Sequence, residues 1–249
     1  MKAMRIRVLV LFLLALGFAS VSCAQVGMMP IVNSPKASGS GSFSFVQKSA
    51  DFAASTTSPV SLTLNSTGAG HLIVVQAYVR ASSGGSFSVS DGVNTYTQVS
   101  AGICQNGSNT EDTFYVLSGA GGNLTISVSW SGGVIWLYGN AREYSSTTPV
   151  TYVARSCTAS PTSTTAPTSD AVNANGTNNL LVGGMYDFNA LSGGCGSGWG
   201  NCSSNTNQSS AGPAETEDKL NQASGNYSST FTLGTAESDW MAEVVAFKD

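Results

Sequence analysis

His71-Leu-Ile-Val-Val-Gln-Ala-Tyr-Val79 is the stretch that decides how this chain folds. It is a short apolar run rich in β-branched residues, with Gly68 and Gly70 before it and Ser82-Ser83-Gly84-Gly85 behind it. A run of this length between turn residues predicts a strand covered on both faces, in the middle of a sheet. A second, weaker copy, Asn179-Leu-Leu-Val-Gly-Gly-Met-Tyr186, follows in the other half of the chain.

Around the first run, Val60, Leu62 and Leu64 alternate with Ser61, Thr63 and Asn65, and Leu124, Ile126, Val128 and Trp130 alternate with Thr and Ser. Both patterns predict half-buried strands with one wet face. Phe43–Lys48, Ser86–Ser90, Thr95–Val99, Thr113–Leu117 and Val134–Tyr144 complete the first half, with Asp91-Gly-Val-Asn94 as a turn. No segment keeps a 3.6-residue apolar period, so the fold class is all-β. The second half echoes the first: Tyr227–Leu233 follows Leu124–Ile126 in pattern, and Trp240–Phe247 follows Trp136–Tyr144. The expectation is a two-sheet antiparallel β-sandwich of jelly-roll type over 43–249, with internal pseudo-symmetry. Each half would be too small to close a core alone. Trp240–Lys248 would be the closing strand, paired near the first strands, and the Ser/Thr/Pro/Asn-rich 156–178 a long connection.

The N-terminus predicts export. Lys2, Arg5 and Arg7 precede an apolar Val8–Phe18 too short to span a bilayer, and Ser22-Cys23-Ala24 has the form of a signal-peptidase site, with cleavage at Ala24–Gln25. The alternative makes Cys23 a lipidated residue, although Ser20 stands where such sites usually carry Leu. No later stretch is long and apolar enough for a membrane helix. Residues 1–24 read as the signal and 25–42 as a flexible leader rich in Pro, Gly and Ser. Beyond residue 24, seven Lys/Arg stand against fourteen Asp/Glu, a net charge of −7. Such a surface is a poor partner for nucleic acid, which needs clustered cations. Charged residues make up only 10% of the chain, and the polar surface is Ser, Thr, Asn and Gly instead, as in many extracellular β-proteins.

Four cysteines remain after residue 24: Cys104, Cys157, Cys195 and Cys202. An even number in an exported chain predicts two disulfides in one of three pairings. The short Gly-Ser-Gly-Trp-Gly-Asn loop favours Cys195 with Cys202, and therefore Cys104 with Cys157. A zinc site from all four thiolates lacks any Cys-x-x-Cys pair.

Gly70-His-Leu-Ile-Val-Val, Asp91-Gly-Val-Asn-Thr-Tyr-Thr, Arg142-Glu-Tyr144, Asn179-Leu-Leu-Val-Gly and the closing Asp239-Trp…Ala-Phe-Lys together resemble a loosely defined group of secreted bacterial β-sandwich modules. Gly-Asn-Leu-Ile-Val and Asp-x-x-Gly-Asn-x-Tyr motifs recur in that group; here His71 replaces the Asn and Val93 the Gly. The resemblance covers about residues 43–249. It implies an extracellular, often surface-associated module and no defined enzyme.

His71 is the single histidine, placed at the entry of a core strand, and no Gly-x-Ser-x-Gly occurs, so triad chemistry and His-based zinc chemistry are disfavoured. A carboxylate pair is the remaining catalytic route, as in glycoside hydrolases. Glu143 and Glu243, at equivalent places in the two halves, are the best pair. Glu111-Asp112 and Glu215, Glu217 and Asp218 read as solvated loop acids. Trp199, in the Cys195–Cys202 loop, is the candidate stacking platform for a sugar ring; Trp130, Trp136 and Trp240 read as core. Asp91 and Asn94 could offer oxygens to Ca²⁺, although an Asp-Gly turn accounts for them equally. The leading expectation is a non-catalytic extracellular module of a surface, matrix or filament, without cofactor, contacting copies of itself or glycans. A glycan-binding module and a glycoside hydrolase are the alternatives.

Overall fold

The computed structural model describes residues 42–50, 53–99, 102–117, 121–160, 162–187, 193–204 and 214–249. The export signal, and all but the last residue of the expected leader, lie outside them. The described chain is built from nineteen strands. The first half holds β1 (Phe43–Lys48), β2 (Ala53–Ser55), β3 (Val60–Thr67), β4 (Leu72–Ala81), β5 (Phe87–Ser90), β6 (Thr97–Gln98), β7 (Cys104–Asn106), β8 (Asn109–Leu117), β9 (Gly122–Trp130) and β10 (Val134–Ser146). The second holds β11 (Thr151–Ser160), β12 (Val172–Ala174), β13 (Asn179–Tyr186), β14 (Gly193–Cys195), β15 (Gly200–Ser204), β16 (Ala214–Gln222), β17 (Gly225–Tyr227), β18 (Phe231–Leu233) and β19 (Trp240–Lys248).

The antiparallel sandwich predicted from the sequence is present, but its strands divide among five sheets rather than two. A seven-stranded sheet runs β1-β10-β4-β8-β6, with β2 on β10 and β7 on β8, and a five-stranded sheet runs β11-β19-β13-β16-β15. The smaller sheets are β3-β9-β5, β12-β17 and β14-β18. The two large sheets repeat one arrangement. In each, the first long strand of its half (β1, β11) flanks the last (β10, β19), which flanks the central apolar strand (β4, β13), which flanks the next (β8, β16). The closing strand β19 therefore pairs with β11 and β13 of its own half, and meets the first half face to face instead of in register.

Period-2 alternation explains the layers. Ile73, Val75, Ala77 and Val79 of β4 pack against Leu62, Leu64, Ile126 and Val128 of the three-stranded sheet. Leu72 and Val74, on the opposite face, pack against Leu180, Val182, Val245 and Phe247 of the five-stranded sheet. The outer face of that sheet is covered in turn by β12-β17 with Trp199 and by β14-β18. Four layers result, with both large sheets inside. Each half closes a core of its own and the halves share a further one, which is why a single two-sheet sandwich does not describe the fold.

Cystines join Cys104 to Cys157 and Cys195 to Cys202, the former tying β7 of the first half to β11 of the second. Their sequence separations are 53 and 7. In the chain-entropy account these links stabilise by about 4 and about 2 kcal/mol respectively. Replacing Cys104 and Cys157 by Ser should accordingly lower the urea midpoint more than replacing Cys195 and Cys202. Urea titrations of the two double variants check the order; equal losses would contradict it.

Candidate functional site

The structure does not bring Glu143 and Glu243 together. Along β10, Trp136, Tyr138, Asn140, Arg142 and Tyr144 point toward the five-stranded sheet, so Glu143 shares the opposite face with Leu137 and Ala141. There it accepts bonds from the Gly68 amide (2.7 Å), the Gln47 side chain and His71 Nδ1 (2.6 Å). Glu243 lies on the other side of the seven-stranded sheet. Gln76 and Thr113 donate to it, and Arg155 Nε approaches its Oε2 at 2.6 Å. Both carboxylates are fully buried and hold no partner in common. Glycosidase acids must instead face each other across a substrate cleft.

Glu111-Asp112 and Glu215, Glu217 and Asp218, expected in solvated loops, sit in β8 and β16 and are buried. Polar groups rather than apolar ones fill the middle of the layer between the large sheets. Arg142, 1% exposed, reaches across to Asp218 (3.3 Å), the Thr216 carbonyl (3.1 Å) and hydroxyl, and the Asn201 carbonyl (2.8 Å). In the other direction Arg155 binds Glu243, the Glu111 carbonyl (3.3 Å) and the Gly102 carbonyl, with Asp112 at 3.9 Å. Gln76, Tyr78 and the Glu111 carboxyl converge beneath Gly184, where a Cβ would collide with all three.

Burial, then the neighbouring Glu243 charge, holds Glu111 well above the ordinary carboxyl range, with Arg155 opposing. Burial likewise lifts Asp112 to about 7, against the pull of Arg155. On the outer face of β16, burial raises Glu215 to about 7 and Glu217 to about 8, although the Gly196 and Thr230 amides bond to Glu217. Burial thus makes Glu111 and Asp112 inside the layer, and Glu215 and Glu217 on its outer side, hold their protons more tightly than ordinary carboxyls.

The binding residues expected from the sequence are also occupied. Trp199 is 9% exposed, packs with Leu181, Val244 and Ala246, and carries the Lys219 ammonium 4.7 Å from its ring centroid, so it is core and not an open platform. Asp91 spends its carboxylate inside its own turn. Oδ1 accepts from the Val93 (2.9 Å) and Asn94 (2.7 Å) amides, and Oδ2 from Asn94 Nδ2 (2.7 Å) and the Tyr96 hydroxyl (3.1 Å). Burial works to raise its pKa, and these bonds outweigh it and hold it low. Four donors aimed at one carboxylate leave no room for Ca²⁺ at Asp91 and Asn94. Among the described residues no cluster of three or more His, Cys, Asp or Glu could hold a metal.

Two open cavities meet at one rim. Gln105-Asn-Gly-Ser-Asn109 forms a hairpin whose two-residue turn uses Gly107 at φ +58°, with Asn106 opposite Asn109. Gln105 Nε2 donates to the Gly107 carbonyl (3.1 Å), and the Ala81 amide to the Ser108 carbonyl (2.9 Å). The turn stands between two cavities. One, about 260 Å³, is walled by the 81–85 loop, Ile103, Gln105, Thr110 and Trp130; the other, about 220 Å³, by Asn106, Asn109 and Asp239. Apolar periodicity marks no strand over 100–112, where β7 and the start of β8 lie. The local signal is Gly107-Ser108, a two-residue hairpin pair three residues after Cys104.

Comparison of the chain with protein-family models, curated proteins and solved structures gave no match.

The elevated acids set a pH dependence. Asp112, Glu215, Glu217 and Glu111 bind protons more tightly folded than unfolded, where carboxyls titrate near 4. The native state thus holds more protons between about pH 4 and 8, and stability falls as pH rises through that window. The melting temperature should be higher at pH 5 than at pH 8 by about 5 °C or more, measured by calorimetry. A flat or rising profile would mean that these acids are hydrated in solution.

Proposed function

We propose that this chain is a non-catalytic extracellular module, a component of a cell surface or matrix, and not a hydrolase. One observation carries the reading: the acids best suited to catalysis are consumed as structural partners inside the fold, Glu143 by His71 and two amides, Glu243 by Arg155, Gln76 and Thr113. A general acid needs access to substrate, and these carboxyls have none. Two cystines suit an oxidising compartment, in keeping with the export signal expected at 1–24.

Self-association through sheet edges, the filament form of this reading, is disfavoured in the first half. The Asn221 amide bonds both the N–H (2.7 Å) and the carbonyl (3.0 Å) of Phe43 at the start of edge strand β1. The Gln47 amide does the same for Asn65 on β3, at 3.2 and 2.6 Å. An amide plugging an edge in this way takes the place of an incoming strand.

The purified chain should release no reducing sugar from a panel of plant, fungal and bacterial polysaccharides between pH 5 and 8. Glu243→Gln should lower stability by about 3 kcal/mol, because it leaves the Arg155 guanidinium buried beside a neutral group. Hydrolysis that disappears in Glu243→Gln or Glu143→Gln, with the fold retained, would overturn the proposal.

A further inference from the structure

We infer that the paired cavities flanking the Gly107-Ser108 turn form a binding site for a neutral, hydroxyl-rich glycan, one sugar ring on each side of the turn. The inference rests on the reading of the chain as a surface module and supplies its ligand class.

The lining chemistry selects the ligand. Ser82, Ser83, Ser108 and Thr110 contribute hydroxyls, and Gln105, Asn106 and Asn109 contribute amides. Among the described residues no lysine or arginine lines either cavity, and Asp239 lines the second. With Asp239 as the one charged residue among the described lining residues, this rim disfavours uronates, sulfated sugars and phosphates. Ile103, 43% exposed, supplies the apolar surface against which the C–H face of a pyranose packs, and the buried Trp130 supports that wall from the core. Trp130 is held in place by an edge contact with Phe87 (4.9 Å between ring centres) and a bond from its indole N–H to the Ser83 carbonyl (3.4 Å).

Unmet hydrogen-bonding capacity marks the second cavity. Asn109 is 6% exposed, and its Oδ1 has no partner; Asn106 Nδ2, across the turn, has none either. An acceptor and a donor left unpaired this far from water are costly. A sugar hydroxyl donates and accepts at once, so a vicinal diol matches this combination and an aliphatic ligand does not. The site is also pre-shaped, which limits the ordering cost of binding. Cys104–Cys157 clamps the hairpin base, and Asp239 is fixed at φ +68°, a left-handed conformation that Asp tolerates, immediately before β19.

The test is isothermal titration of the full chain with neutral tetrasaccharides of glucan, xylan, mannan and galactan, and with an oligouronate of equal length. At least one neutral tetrasaccharide should bind, and the oligouronate should bind at least tenfold more weakly. Asn106→Ala, on the half-buried side of the turn, should weaken binding tenfold or more with an unchanged melting temperature. Gln105→Ala provides the same comparison from the first cavity if Asn106→Ala does not fold. EDTA should leave binding unaltered. Absence of binding to every neutral probe, equal binding of the oligouronate, insensitivity to both substitutions, or abolition by EDTA would each overturn the site. Reducing-sugar release in the same mixtures separates the two readings: binding without release supports both, binding with release overturns only the non-catalytic one, and no binding without release overturns only the glycan site.

Discussion

Two guanidinium groups in a dry interlayer set the terms for the rest of this structure. Arg142 leaves the half that carries it to pair with Asp218 of the other, and Arg155 pairs with Glu243 of its own half while reaching across to Asp112 and the Glu111 carbonyl. An arginine cannot shed its proton, so burying one demands acceptors on every side. Those acceptors come from equivalent strands: Thr216 and Asp218 of β16 for Arg142, and the Glu111 carbonyl and Asp112 of β8 for Arg155. Gln76, in the middle of the most apolar strand, and Gly184, with no side chain at all, follow from the same demand. One supplies a donor to Glu243, and the other makes room for the groups that converge there.

This polar layer also explains what the sequence disclosed and what it hid. Strands with at least one face in an apolar core, such as β3, β4, β9, β13 and β19, carried the alternation or the continuous apolar run that predicts them. β16 reads Ala-Glu-Thr-Glu-Asp-Lys-Leu-Asn-Gln, with polar residues on both faces. Its inward Thr216 and Asp218 meet Arg142, and its outward Glu217 anchors the Gly196 and Thr230 amides. Judged by hydrophobicity, such a strand cannot be told from a loop. β11 was hidden likewise, because its inward Arg155 looks like a surface charge until the acids opposite it are known. Trp199 shows the reverse error. Its Gly-rich surroundings suggested exposure, whereas Val244 and Ala246 lie beneath it and Lys219 above.

The internal repeat gives the interlayer its economy of design. Two sandwiches of one topology, stacked through their large sheets, present the same strands to each other, so one kind of polar contact is available in both directions. The contacts nevertheless differ in detail: Arg142 comes from the last strand of its half, and Arg155 from the first. The halves are therefore alike in strand order and unlike in side chains, and each has specialised around the partner it faces. That divergence explains why β-patterns, and not repeated residues, carried the echo in the sequence.

The same strand that closes the interlayer also governs the rim. Arg155 and Cys157 lie two residues apart on β11; the first binds the Gly102 and Glu111 carbonyls, and the second is bonded covalently to Cys104. Both grips fall on the β7–β8 segment whose turn separates the two cavities. A two-residue hairpin at a sheet edge is ordinarily among the least stable parts of a β-protein. Here it is held from below by the opposite half, through hydrogen bonds from Arg155 and through a covalent cystine. The shape of the rim is therefore a property of the assembled pair of sandwiches, and neither half folded alone would possess it.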